Sequence, residues 1–88
     1  MAAVRVRVAS PVGLHARPAG VFVQAVVASG LPVVISKPDD AASAPADARS
    51  ILAVLALDVA CGDDVELTAD GERADDVLAA LAALLASG

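Results

Sequence analysis

The chain has 88 residues, a formal net charge of −5 and one aromatic residue, Phe22. This length predicts a single domain over residues 1–88, with a small core of Val, Leu, Ile and Ala. The acidic balance, without a basic cluster or a series of stacking aromatic residues, excludes the usual nucleic-acid-binding surface and disfavours docking to anionic membranes.

The first half of the chain predicts a strand, a helix and a second strand. Valines and arginines alternate over residues 4–8 with the period of two that is typical of a half-buried strand. A helix is predicted from about Ala16 to Ala28, since apolar residues recur three, four and seven positions apart, and Gly30 suits its left-handed end. Residues 31–37 predict a second strand, in which Pro32 fits the first positions or a sheet edge.

The second half predicts a helix, a strand and a longer helix. Residues 38–48 have little strand signal and are interpreted as a loop or a ragged edge strand. Ser50 is a good N-cap for a helix through about Leu57. Polar and apolar residues alternate over 65–69, which indicates a strand, and leucines recur along one face of a predicted helix over 73–86.

This order of elements favours an antiparallel sheet. The chain is too short for several parallel crossovers, and alternating strands indicate one face open to solvent. The predicted class is α+β, an open-faced β-sandwich in which three helices cover one face of a four-stranded antiparallel sheet (βαββαβα).

The octet Gly-Leu-His-Ala-Arg-Pro-Ala-Gly at 13–20 contains the chain's single histidine, His15. It predicts a loop that presents an imidazole at the first turn of a helix. Pro18 suits that turn, because N–H groups there lack intrahelical acceptors. A neutral imidazole is a nucleophile, and the backbone N–H groups of Ala16 and Arg17, with the Arg17 guanidinium, are suited to hold a phosphoryl group.

The octet resembles the active-site motif of HPr, the histidine-containing phosphocarrier of the bacterial sugar phosphotransferase system. A second segment, Arg49–Leu55, resembles the basic-Ser-aliphatic segment of that family. The resemblance implies the same fold, with a short third strand within 38–48, and phosphorylation of His15 at Nδ1. It also implies that the chain accepts the phosphoryl group from phosphorylated Enzyme I and passes it to the IIA units of sugar permeases. Such a carrier is not an independent catalyst and uses no cofactor.

Two roles are predicted around the second segment. Ile51, Leu52 and Leu55 are either core residues or, as the resemblance favours for Leu52 and Leu55, a small apolar patch for partners, with Arg49 at its edge. Ser50 is first an N-cap and also a candidate regulatory phosphosite, which would require a Ser kinase/phosphorylase in the host. Phosphate there would repel acidic partners.

Other classes of function fit the residues less well. One histidine and one cysteine, without ligand spacing, disfavour a metal site, and no second histidine can activate a nucleophile. The lone Cys61 suits a reducing cytoplasm, and the apolar segments are too short or too interrupted to span a membrane. A monomer is expected. The alternative function is a nitrogen-branch or purely regulatory module of the same fold.

Overall fold

The computed structural model describes residues 1–87 and confirms the predicted order of elements. The strands and helices are β1 (Ala2–Arg7), α1 (Ala16–Ser29), β2 (Val33–Ser36), β3 (Ala46–Asp47), α2 (Ile51–Ala56), β4 (Asp64–Ala69) and α3 (Ala74–Ala86). Among these residues no helix is both long enough and apolar enough to cross a membrane.

The four strands form one antiparallel sheet in the order β1-β4-β2-β3. Val4 pairs with Leu67 across β1 and β4, and Val34 pairs with Thr68 across β2 and β4. The segment 38–48, interpreted as a loop or ragged edge, contributes only the two residues of β3, which lie at the sheet edge against β2. Pro32 lies just before β2, because that strand is internal and each of its N–H groups can serve the ladder.

The core lies on one face of the sheet. Alternate residues of β4 are buried, and in a strand such residues point to the same side. The helices cover that side with residues spaced by one helical turn, which include the fully buried Phe22. The opposite face is open to solvent and mostly polar, with Arg5 and Arg7 both bound to the Asp64 carboxylate. Buried residues shared between the layers include Ala19, Phe22, Val26, Val33, Ile35, Val65, Leu67, Leu78, Leu81 and Leu85.

Candidate functional site around His15

The loop before α1 is held against the segment that follows α2. Gly13 has φ +68°, and a Cβ at this position would collide with the carbonyl oxygen of Val59 and lie 2.8 Å from the Cα of Ala60. The Leu14 N–H donates to the Val59 carbonyl at 2.9 Å, and the Leu14 side chain is buried. Only glycine permits this close approach of two backbones, so the position of His15 depends on residue 13.

His15 occupies the N-cap position of α1 with extended backbone and caps no N–H with its side chain. The imidazole is 40% exposed and therefore reachable by a partner. Ala16 follows with φ 52°, a left-handed conformation that costs a non-glycine residue roughly 1–2 kcal/mol. The first turn offers the N–H groups of Ala16 and Arg17, while Pro18 has none. The predicted presentation of the imidazole at an open helix start is thus present in the structure.

Arg17 places an exposed guanidinium in this first turn. Within residues 1–87 it forms no ion pair, whereas Arg5, Arg7 and Arg49 all bind aspartates. Arg17 also borders a mostly apolar cavity of about 270 Å³ between α1 and the end of α3. His15 is not among the residues that line this cavity. The cavity therefore does not enclose the imidazole.

The structure adds one residue to the site that sequence reasoning missed. An Asp58 carboxylate oxygen lies 3.3 Å from His15 Nε2. The two residues are 43 positions apart, so no local pattern connects them. One signal was present in the sequence: Asp58 directly follows an apolar helix, where an acidic residue is unfavourable next to the helix carbonyls. Such a residue calls for a nearby donor or cation.

Ser50 has the predicted local role. It stands at the N-cap of α2 in extended backbone, and its hydroxyl accepts the Ala53 N–H at 3.2 Å. Arg49 binds Asp47 at 3.1 Å. The Arg49 side chain, and then its backbone N–H, hold the pKa of the Asp47 carboxyl below its ordinary value, and Asp47 in turn raises the pKa of Arg49.

The three aliphatic residues of α2 named above are not equivalent. Leu52 is 77% exposed and Ile51 is 38% exposed, while Leu55 is half-buried against the core. Val54 is the fully buried residue of this helix. The interpretation of all three as core residues is therefore wrong, and two of them are exposed. The exposed pair is Leu52 and Ile51, whereas Leu55, which the resemblance favoured for the patch, is half-buried, because a helix turns successive side chains to different sides.

Together these groups suit the handling of a phosphate dianion. An exposed imidazole, two backbone N–H groups and a guanidinium without an ion pair within residues 1–87 all belong to one helix start, where the helix dipole favours negative charge. No group of three or more His, Cys, Asp or Glu side chains within residues 1–87 is arranged to hold a metal ion.

Comparisons with known proteins identify the family. The profile of the family described as "PTS HPr component phosphorylation site" matches residues 3–87. The chain is 47% identical over 88 residues to phosphocarrier protein HPr of Streptomyces coelicolor, covering 100% of this chain and 91% of that protein. It is 32% identical over 83 residues to phosphocarrier protein NPr of Escherichia coli, covering 94% of this chain and 89% of NPr.

Solved structures that share the fold are also HPr proteins. The fold is similar to a crystal structure of HPr from Thermoanaerobacter tengcongensis with a TM-score of 0.87 at 31% identity, covering 99% of this chain and 93% of that one. A crystal structure of HPr from Bacillus anthracis gives a TM-score of 0.85 at 32% identity, with 96% and 95% covered. The chain belongs to the HPr family of phosphocarriers of the phosphotransferase system.

Proposed function

We propose that the chain accepts a phosphoryl group on His15 from phosphorylated Enzyme I and passes it to IIA units of sugar permeases. It acts in the cytoplasm, as a monomer and without a cofactor, and it carries the group instead of catalysing a reaction of its own. The observation that carries this proposal is the exposed imidazole at the N-cap of α1, two residues before Arg17, whose guanidinium forms no ion pair within residues 1–87.

The proposed chemistry follows from the charge at His15 before and after it accepts the phosphoryl group. A neutral imidazole nitrogen attacks the phosphorus of the donor phosphohistidine, and the donor nitrogen leaves with its electron pair. The phosphoryl group then brings negative charge to the start of α1, where the N–H groups of Ala16 and Arg17 belong to the first turn and lack intrahelical acceptors. Such helix-terminus interactions contribute roughly 0.3–2 kcal/mol. This modest stabilisation allows release to the next acceptor.

The direct test is phosphoryl uptake from labelled phosphoenolpyruvate in the presence of Enzyme I. We expect acid-labile label on the wild-type chain and none on His15→Ala, while Ser50→Ala remains labelled. Label on the His15→Ala variant would refute the assignment of the carrier residue. Adding purified IIA of a sugar permease should then discharge the labelled chain. Uptake without discharge to any sugar IIA would instead support the nitrogen-branch or regulatory alternative.

For partner docking we propose the exposed side chains of α2, with Leu52 and Ile51 as the principal contacts, Leu55 beneath them and Arg49 at the edge. Transient complexes rely on small interfaces with an apolar centre and a polar rim. Leu52→Ser should raise the KM for this chain as a substrate of Enzyme I without lowering its stability, because Leu52 is already 77% exposed. Val34→Ser, on the outer face of the sheet, is the control, and an equal effect there would contradict this docking face.

We also propose Ser50 as a site of inhibitory phosphorylation by a Ser kinase/phosphorylase. Its hydroxyl is at the start of α2, directly before the exposed Ile51 and Leu52. A phosphate there would place negative charge on the docking face. Ser50→Asp and Ser50→Asn both preserve a capping side chain, so they differ mainly in charge. Slower uptake from Enzyme I in the Asp variant alone supports the proposal, and equal uptake rates in the two variants contradict it.

A further inference from the structure

We infer that Asp58 is the positioning residue of His15: its carboxylate, which faces the Nε2 side of the ring, favours the proton on Nε2 and leaves Nδ1 as the nitrogen that exchanges the phosphoryl group. This inference rests on the proposed function, because it gives Asp58 a part in the transfer at His15. The observation that introduces it is the distance of 3.3 Å between the Asp58 carboxylate oxygen and His15 Nε2.

The backbone places the two residues opposite each other. Leu14 N–H donates to the Val59 carbonyl at 2.9 Å, and the side chains of Leu14 and Val59 are both buried. His15 and Asp58 are the sequence neighbours of these two anchored residues, so the pairing brings them close to each other. The contact is therefore a consequence of two fixed backbones, although the Asp58 side chain itself is 89% exposed.

The conformation of Asp58 is a second observation. Its φ is 55°, a left-handed value at which glycine or asparagine is more usual. Its backbone N–H donates to the Leu55 carbonyl at 3.1 Å, so this position closes α2. Aspartate tolerates this conformation as asparagine does, but its carboxylate is at the C-terminal end of α2, where negative charge is unfavourable. The proximity of the imidazole supplies a reason for a carboxylate at this position.

The contact has a defined consequence for the ring. Which nitrogen of a neutral imidazole carries the proton depends on the partner of that nitrogen. A carboxylate next to Nε2 favours the proton there, so that the unshared pair is at Nδ1. The Nδ1–P bond forms as the donor N–P bond breaks, and the electron pair of that bond remains on the donor nitrogen. The Nε2 proton stays in place, and His15 becomes a cationic ring bearing the phosphoryl group.

Asp58 then acts on both states of the carrier. In the free state it orients the nucleophile, and in the phosphorylated state its negative charge faces the new positive charge of the ring. On discharge the N–P electron pair returns to Nδ1, and a neutral imidazole leaves with its Nε2 proton retained. No additional acid, base or oxidant is required for either direction of transfer.

The test uses the full chain with two substitutions of Asp58. Asp58→Asn keeps a side chain that tolerates the left-handed backbone but removes the charge, and Asp58→Gly removes the side chain and relieves the backbone. Glu72→Gln is the control for net charge, since Glu72 is exposed and forms no ion pair within residues 1–87. The readout is the imidazole ¹⁵N chemical shifts at a pH where the ring is neutral, which report the ratio of the two tautomers.

In Asp58→Gly we expect the ratio of the Nε2–H tautomer to the Nδ1–H tautomer to fall by up to about fivefold. An exposed charge pair changes an equilibrium constant by up to about this factor. Asp58→Asn should show a smaller fall, and Glu72→Gln none. A merely structural role for Asp58 would leave the ring spectrum of the glycine variant unchanged. Wild-type tautomer ratios in both Asp58 variants would overturn the inference, whatever the outcome of transfer experiments.

A second measurement addresses transfer itself. The equilibrium ratio of phosphorylated chain to phosphorylated Enzyme I should fall by up to about fivefold in Asp58→Gly relative to Glu72→Gln. An unchanged ratio would overturn the part of Asp58 in transfer, even if the tautomers shift. A wild-type chain that takes no label at all would refute the proposed carrier function, while the tautomer measurement on the unphosphorylated chain would still decide what Asp58 does to the ring.

Discussion

The starts of α1 and α2 share an extended N-cap residue but differ in whether its side chain caps the helix. His15 and Ser50 both occupy an N-cap in extended backbone. The Ser50 hydroxyl accepts the Ala53 N–H, so α2 satisfies part of its first turn with its own side chain. His15 caps nothing, and the first N–H groups of α1 remain available. One helix start is capped by a local side-chain hydrogen bond, and the other, which has no such cap, is the start at which we propose that the phosphoryl group binds.

The two starts also differ in what holds them in place. The start of α2 is held by hydrogen bonds between residues only two or three positions apart. The Asp47 side chain accepts the Arg49 N–H at 2.9 Å, and the Asp47 backbone carbonyl accepts the Ser50 N–H at 3.0 Å. The start of α1 is held by contacts with residues more than forty positions away, at Val59 and Asp58. A stabilising cap can therefore be local, while a reactive helix start has to be supported by the tertiary structure.

The largest expected effect separates function from stability at the two positions. His15→Ala should abolish phosphoryl uptake and change the free energy of unfolding by less than about 0.5 kcal/mol, because the ring caps no backbone group. Ser50→Ala should retain uptake. Labelled uptake and urea unfolding of both variants check this. A large loss of stability in the histidine variant would show that the start of α1 is not open.

The support of the α1 start can be broken at Gly13. Gly13→Ala should destabilise the fold by about 2–5 kcal/mol, from the left-handed backbone together with the collision against Val59 and Ala60. The matched control is Gly20→Ala inside α1, where nothing lies within 4 Å of an added Cβ. That control should gain roughly 0.5–1 kcal/mol. Denaturant midpoints compare the two, and equal values would contradict the close approach at Gly13.

Removal of the α2 cap should have an intermediate effect. Ser50→Ala is expected to lower the free energy of unfolding by about 1 kcal/mol, since the Ala53 N–H loses its acceptor. Ser50→Asn should recover most of this loss, because its side chain can cap the same N–H. Urea unfolding measures all three chains. An alanine variant as stable as wild type would mean that the hydroxyl is dispensable for α2.

The smallest effect concerns acid pH at the approach to α2. Hydrogen bonds from Arg49 lower the pKa of Asp47 in the folded chain. The resulting stabilisation is complete above the ordinary pKa of an aspartate, about 3.9, and is lost as the pH falls through the lower folded pKa. Asp47→Asn keeps the acceptor for the Arg49 N–H and removes the charge, so its stability should change less with pH over that acid range. Parallel pH dependences of the two chains in urea unfolding would contradict the prediction.

Local sequence was sufficient for much of the secondary structure. The alternation in residues 65–69, the leucine spacing of 73–86, the left-handed Gly30 and the cap at Ser50 were all predicted, because each depends on neighbours within about one turn or one strand. The segment 38–48 was difficult because a strand of two residues has no periodicity of its own. Its strand character arises from pairing with β2.

His15 and Arg17 were recognisable as candidate site residues from the octet alone, since their spacing and Pro18 already specify a helix start. Tertiary structure alone decided that Asp58 faces the imidazole, that Gly13 must accommodate the Val59 backbone, and that Leu52 is exposed while Leu55 is half-buried. The physical reason is the separation along the chain over which each interaction acts. Propensity, capping and periodicity act between near neighbours in the chain, whereas the contacts around His15 join backbones that meet only when the sheet and helices have packed.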